Sequence, residues 1–337
     1  MGVICFDRPE LSDARQLVES QGLRFEPHFD DLVGLFEMGQ LVACGARSGY
    51  VLKMLAIAPS HQGTDALGTL VTRLMLSALS AGHDTVFVFT QARNVGSFEA
   101  LNFRLLVTHG EVALLEHGPG LKEYLASHAS LITEGQNGAI VINGNPFTLG
   151  HLYLAEFAAR QVDRLYLFVV REDVSVFPFA VRFRLAEEAT SHLPNVTVLD
   201  TSRYAVSAGT FPNYFLKRLD EAAPAQMQID VRLFAERLAP CFHVASRFAG
   251  QETLCPTTAA YNRIMAEVLP AQGIQFVELP RIEAGGLPIC ATRVRRAFAD
   301  GDVATLRDLV PPATLRFMKS PPAHELAERL RTDRKEV

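Results

Sequence analysis

The spacing of apolar positions divides the chain into two halves with different rhythms. In the first half, residues 11–21 carry apolar side chains at helical spacing. Two strand-like runs, 32–38 (LVGLFEM) and 41–48 (LVACGARS), flank Gly39-Gln40 and predict a hairpin. The run 50–57 (YVLKMLAI) reads as a strand that Pro59 breaks. Residues 64–81 return to helical spacing. A strand at 85–89, a short helix near 95–101 and a strand pair before 116 complete a mixed α+β pattern.

The second half alternates short apolar runs with helical periods. Strands are predicted at 139–142, 164–170, 195–199, 242–248 and 274–279, and helices at 149–162, 179–191, 257–269 and from Thr292. The run 164–170 (RLYLFVV) is almost continuously apolar, as a strand covered on both faces should be. This βαβα rhythm predicts a parallel, doubly wound sheet with ligands at the carboxyl ends of its strands. Between the halves, 117–138 holds four glycines and a proline around one short amphipathic stretch. We therefore expect a first domain over 1–120, a linker over 121–138, a second domain over 139–320 and a C-terminal tail over 321–337. The sequence from Pro311 onward reads as surface-exposed and frayed.

Composition narrows the class. A length of 337 residues suits two domains, and 48% hydrophobic with 20% charged residues is ordinary for a globular enzyme. A net charge of -5 argues against a dedicated nucleic-acid binder. The five cysteines form no C-x-x-C pair, which points to reduced thiols and a cytoplasmic setting rather than a disulfide framework or a metal site. Neither a signal peptide nor an apolar run of membrane-spanning length is visible.

Candidate chemistry concentrates in two places. Residues 143–151 (NGNPFTLGH) follow the first strand of the second half and open a helix. A helix N-terminus presents unpaired N–H groups and a positive dipole end to an anion. Gly150 lacks a Cβ that would hold a phosphate away. Thr148 and His151, three residues apart, share a helix face. Residues 289–296 (ICATRVRR) open another helix, where Thr292 and Arg295 are again three apart and Arg293 lies between them. Arginine pairs bidentately with phosphate. Asn145 precedes a proline in the first loop, Gly250 ends a strand, and Arg182 and Lys217 are further candidate phosphate partners. Asp173 is a candidate for metal or carboxylate binding. Tyr214 and Phe215 read as packing residues.

These two elements, T-x-G-H and I-x-x-T-R-V-R, resemble the two signatures of the nucleotidylyltransferase superfamily. NPFTLGH, LFVVREDVSVFPF, GTFPNYFLK and SRFAG…TAAYN narrow the resemblance to the citrate lyase ligase family. In that family a GNAT-like acetyltransferase-related domain precedes a Rossmann-like nucleotidylyltransferase domain. Residues 55–75 (LAIAPSHQGTDALGTLVTRLM) resemble the strand–loop–helix that cradles CoA phosphates, which implies Gln62 and Gly63 as a vestigial CoA loop. The resemblance implies catalytic roles for His151, Thr148 and Arg295, and ATP contacts for Asn145, Gly150, Thr292, Arg293, Gly250, Arg182 and Lys217. It implies ATP as substrate, Mg²⁺ with it, and acetate activation as acetyl-AMP plus diphosphate. The acetyl group would then pass to the prosthetic-group thiol of the citrate lyase acyl carrier subunit.

The chain departs from the family pattern at three points. Asp65 stands where the CoA loop has a glycine, Val181 replaces an aspartate, and Cys290 replaces a serine. Two alternatives stay open at this stage: an adenylyltransferase with another phosphate or acyl substrate, and a non-catalytic carrier-binding module.

Overall fold

A computed structural model describes residues 4–171, 175–207, 211–212, 214–216, 222–252 and 255–333. In chain order, the first stretch forms β1 (Ile4–Asp7), α1 (Leu11–Ser20), β2 (Asp31–Glu37), β3 (Gln40–Ser48), β4 (Val51–Ile57), α2 (Ala66–Ser80), β5 (Val86–Gln91), α3 (Val95–Glu99), β6 (Arg104–His109), β7 (Val112–His117) and α4 (Gly120–His128). Then follow β8 (Asn137–Ile142), α5 (Leu149–Ala159), β9 (Leu165–Val169), α6 (Phe179–Thr190), β10 (Val196–Asp200) and α7 (Ala222–Leu233). The last stretch holds β11 (Val244–Gly250), α8 (Pro256–Ala271), β12 (Gln275–Leu279), β13 (Glu283–Ala284), β14 (Leu287–Pro288), α9 (Ala291–Asp300), α10 (Val303–Leu309), α11 (Pro312–Met318) and α12 (Pro321–Asp333).

Contacts divide the chain into two compact units, 1–127 with 206–233, and 128–205 with 234–337. The first unit is built on a seven-stranded sheet in the order β1-β2-β3-β4-β5-β7-β6. Its neighbours are antiparallel except for β4 and β5, which run parallel and pair only at Val51↔Phe87 and Leu52↔Val88. The predicted hairpin forms, with Met38 and Gly39 in the left-handed region at its turn. The apolar face of α2 (Ala66, Leu70, Val71, Leu74, Ala78) packs on this sheet with Leu35, Leu52, Val88 and Leu115. This is the mixed α+β arrangement that the acetyltransferase resemblance implies.

The second unit carries a five-stranded, wholly parallel sheet in the order β10-β9-β8-β11-β12. The continuous apolar run becomes β9, buried at all five positions. The strand order reverses between β8 and β11, which makes their carboxyl ends the topological switch point. One apolar cluster joins α5 (Leu154, Ala155, Ala158), α6 (Leu185, Ala186), α9 (Val294, Phe298) and the loop residues Phe147 and Phe177. The predicted doubly wound sheet is thus present.

Three expectations change. The stretch 121–138 carries α4 and the start of β8 rather than a bare linker. Residues 206–233, expected within the second domain, belong by contact to the first unit, where α7 packs on β6 and β7. The tail up to residue 333 is helical rather than frayed, and Phe317, Met318, Ala323, Leu326 and Ala327 join the core of the second unit. Among the described residues, no helix is long and apolar enough to cross a membrane.

Candidate functional site

The loop from β8 into α5 is shaped by a reciprocal cap. The Thr148 hydroxyl accepts the His151 backbone N–H at 3.3 Å. In return the Thr148 backbone N–H donates to His151 Nδ1 at 3.0 Å. This is a capping box with histidine in the place usually taken by glutamate or glutamine. The chemical consequence is specific. A ring nitrogen that accepts a backbone N–H carries no proton, so the neutral imidazole bears its proton on Nε2. Burial, then the positive charge of Arg281, lowers the His151 pKa from 6.5 to about 4. His151 is therefore a neutral Nε2–H donor near pH 7.

The cap engages the Nδ1 side of the ring and leaves Nε2 outside it. Thr148 is 2% exposed and its hydroxyl also lies 3.0 Å from His151 Nδ1. Its backbone N–H and hydroxyl both hold the Nδ1 side of the imidazole.

The second helix-opening loop lies against the first. Arg295, from the first turns of α9, donates through Nη1 to the Asn145 carbonyl at 2.7 Å and through Nη2 to the Thr292 hydroxyl at 3.2 Å. Partial burial pulls its pKa below the ordinary arginine value. A Cβ on Gly150 would sit 3.4 Å from Thr148 Oγ1 and 3.5 Å from the Ile289 carbonyl. These are ordinary contact distances, so packing of one loop on the other does not itself demand a glycine here. Cys290 is the N-cap of α9, without a side-chain cap bond. His151, Thr148, Gly150, Asn145, Thr292 and Arg295 are thus brought together.

Other candidates fall elsewhere. Arg182 is 0% exposed and donates to the carbonyls of Phe177, Asn143 and Val170 at 2.9, 2.7 and 2.7 Å. It ties the loops after β8 and β9 to the start of α6, which corrects its reading as an ATP contact. Arg293 turns back on its own hairpin, donating to Leu287, Pro288 and Ala284 carbonyls at 2.7, 2.9 and 3.2 Å. The guanidinium is thus engaged by its own hairpin while the residue stays partly exposed. The Asn145 side chain accepts the Phe177 N–H at 3.1 Å, so it braces the loop. Gly250 ends β11 with open space where a Cβ would be, and its carbonyl accepts from Asn262 at 3.0 Å. Val181 packs against the apolar core. Lys217 and Asp173 lie outside the described residues.

Two residues not singled out in the sequence join this edge of the sheet. Glu252 lies just beyond the end of β11, and Arg281 just beyond the end of β12, and the two form an ion pair. Arg281 Nε also donates to the Gln251 carbonyl at 2.7 Å. Their positions at strand ends were readable from the carboxyl-edge rule, but no phosphate-loop motif marks them.

In the first unit, a cleft of about 1440 Å³ is lined by Gln62, Gly63, Asp65, Thr90, Asn94 and Tyr214, among others. The Gln62 amide is already engaged, donating to Gln21 at 2.9 Å and to the Ile57 carbonyl at 3.2 Å. Gly63 sits at φ +77° with open space around it. Tyr214 is buried in this unit, its hydroxyl donating to the Phe89 carbonyl at 2.6 Å. Phe215 packs edge-on against it, so both are packing residues, as expected.

Fold and site together define a class: a doubly wound α/β protein whose switch point brings the openings of α5 and α9 together with His151 and Arg295, groups of the kind that phosphate recognition uses. Comparison with known proteins then gives the particular family. The chain belongs to the citrate lyase ligase family: the model of the citrate lyase ligase C-terminal domain matches residues 137–318. It is 39% identical over 319 residues to [citrate [pro-3S]-lyase] ligase of Klebsiella pneumoniae, covering 93% of each chain. It is 33% identical to the protein of that name from Escherichia coli K12, covering 93% of this chain and 92% of that one. For the Haemophilus influenzae protein the figures are 32%, 94% and 97%.

Proposed function

We propose that the protein is an ATP-dependent ligase that activates acetate as acetyl-AMP and passes the acetyl group to the prosthetic-group thiol of the citrate lyase acyl carrier subunit. The observation that carries this reading is the neutral His151 with its Nε2–H free of the capping box, beside Arg295, at the switch point. Family membership supplies the substrate class.

The chemistry asks little of the protein. Acetate is already anionic near pH 7, so the first step requires no general base, whereas the carrier thiol gives up its proton to solvent before the second. A carboxylate oxygen attacks the α-phosphorus, the bond to the bridging oxygen breaks, and diphosphate leaves. The carrier thiolate then attacks the acyl carbon and AMP leaves. Catalysis reduces to alignment and to donors for the phosphoryl oxygens. The N–H groups opening α5 and α9, His151 Nε2–H and the Arg295 guanidinium supply such donors. Among the described residues, no group of three or more His, Cys, Asp or Glu side chains forms a metal cage. A Mg²⁺ bound together with ATP would supply charge neutralisation to the triphosphate.

The test is diphosphate release from Mg-ATP with and without acetate, with hydroxylamine present to trap activated acyl groups. Acetate-dependent diphosphate and acetyl-hydroxamate are expected. His151→Ala should lower the rate at least about 100-fold with the fold intact, the usual cost of one transition-state donor. A stable dinucleotide product would instead make the protein an adenylyltransferase. Silence with acetate, other carboxylates and the thiol-form carrier would leave a binding module.

A further inference from the structure

The Arg281–Glu252 pair lies beside the crevice, yet the mechanism above leaves it unused. Gln251 donates its backbone N–H to the Leu279 carbonyl at 2.7 Å, which holds the ends of β11 and β12 together. Ile282, next in the chain after Arg281, accepts the Ile289 N–H at 3.0 Å. Ile289 is the residue whose carbonyl faces Gly150. Arg281 is therefore built into the loop cluster that surrounds the α5 N-terminus, and its charge is felt by His151.

The guanidinium is fixed on one side and open on the other. Nε is bound to the Gln251 carbonyl and Nη2 to Glu252. Nη1 makes no hydrogen bond among the described residues. The Arg281 side chain is 24% exposed, whereas Glu252 is 6% exposed. The other carboxylate oxygen of Glu252 accepts the Cys255 N–H at 3.1 Å, at the opening of α8. Part of its negative charge is thus met by that helix N-terminus. A pinned arginine with a spare N–H donor gives up little side-chain entropy on binding an anion.

We propose that Arg281 is a phosphate-contacting residue of the switch-point crevice, donating through Nη1, with Glu252 as the positioning residue that holds it. This rests on the nucleotide reading above. The site then takes its polyphosphate between two walls: the α5 N-terminus, His151 and Arg295 on the β8 side, and Arg281 beyond β11 and β12.

The experiment uses the full chain and Mg-ATP, with Arg281→Ala, Arg281→Lys and Glu252→Gln. Kd for Mg-ATP and for Mg-diphosphate is read by calorimetry, and KM and kcat by diphosphate release. Arg281→Ala should weaken both ligands about 10- to 100-fold, as for loss of a hydrogen bond involving a charged group. Its thermal midpoint should stay within a few degrees of wild type. Arg281→Lys should recover part of the loss, and Glu252→Gln should raise KM more than it lowers kcat. If Arg281→Ala misfolds, Arg281→Lys with unaltered Kd and KM overturns the proposal, as does a folded Arg281→Ala with wild-type values. Wild-type protein that neither binds Mg-ATP nor releases diphosphate overturns the nucleotide reading and this assignment with it, and is seen without any variant.

Discussion

The two ring nitrogens of His151 do different work, and acid should separate that residue from the rest of the chain. Its folded pKa, about 4, lies below the 6.5 of the free side chain. Between those values the unfolded chain binds the extra proton and the folded chain does not. Stability therefore falls as pH drops from 6.5 towards 4, by at most about 1.4 kcal/mol per pH unit, and the loss from this residue ends below about 4. Urea midpoints of wild type and His151→Gln across that range should show wild type losing the more stability. Parallel pH curves would contradict the burial of a neutral imidazole. The histidine itself was legible in the sequence, because T-x-G-H directly after a strand is a local pattern. Its electrostatic neighbour Arg281 was not, since Arg281 and His151 meet only once β8, β11 and β12 are placed side by side.

At the scale of elements, Arg182 shows why a motif residue can be read with the wrong role. Sequence marks it as a cation near a phosphate loop. Structure places it at the start of α6 with three backbone carbonyls as acceptors and no exposure. It joins the end of β8, the end of β9 and the start of α6, so it acts through the shape of the loops. Arg182→Met leaves those buried carbonyls without their donor and should destabilise the fold by about 3 kcal/mol or more. The reading is a lower urea midpoint at constant m. Strands and helices of the parallel sheet were legible because their apolar periods are strong. Helix α12 was missed for the opposite reason: a narrow stripe at Ala323, Leu326, Ala327 and Leu330 lies among charges. Such a stripe reads as solvated until a partner surface is known.

At the scale of the whole molecule, the chain order and the packing order disagree. Residues 206–233 lie between strands of the second sheet in sequence yet belong by contact to the first unit. There α7 covers β6 and β7, the Arg24 N–H donates to the Tyr214 carbonyl at 2.7 Å, and the Val206 N–H donates to Asp230 at 2.6 Å. No local period announces such a return, which is why a simple boundary near 120–138 was the natural reading of the sequence. Residues 1–127 expressed alone should unfold at lower temperature, and exchange the amides of β6 and β7 faster, than the same segment joined by a flexible linker to 206–233. Equal midpoints and equal exchange would show that the inserted segment adds nothing to the first unit.

That interleaving also bears on inheritance. A module whose residues form one uninterrupted stretch can be cut at its ends and joined to a new neighbour by a single recombination. Here one crossover near residue 130 would deliver the first unit without the segment that covers β6, β7 and the Phe89 carbonyl, and would leave that segment stranded on the other gene. Exchange of the N-terminal half among enzymes would need two coordinated crossovers, so the halves of this chain are bound to travel, and to diverge, as one.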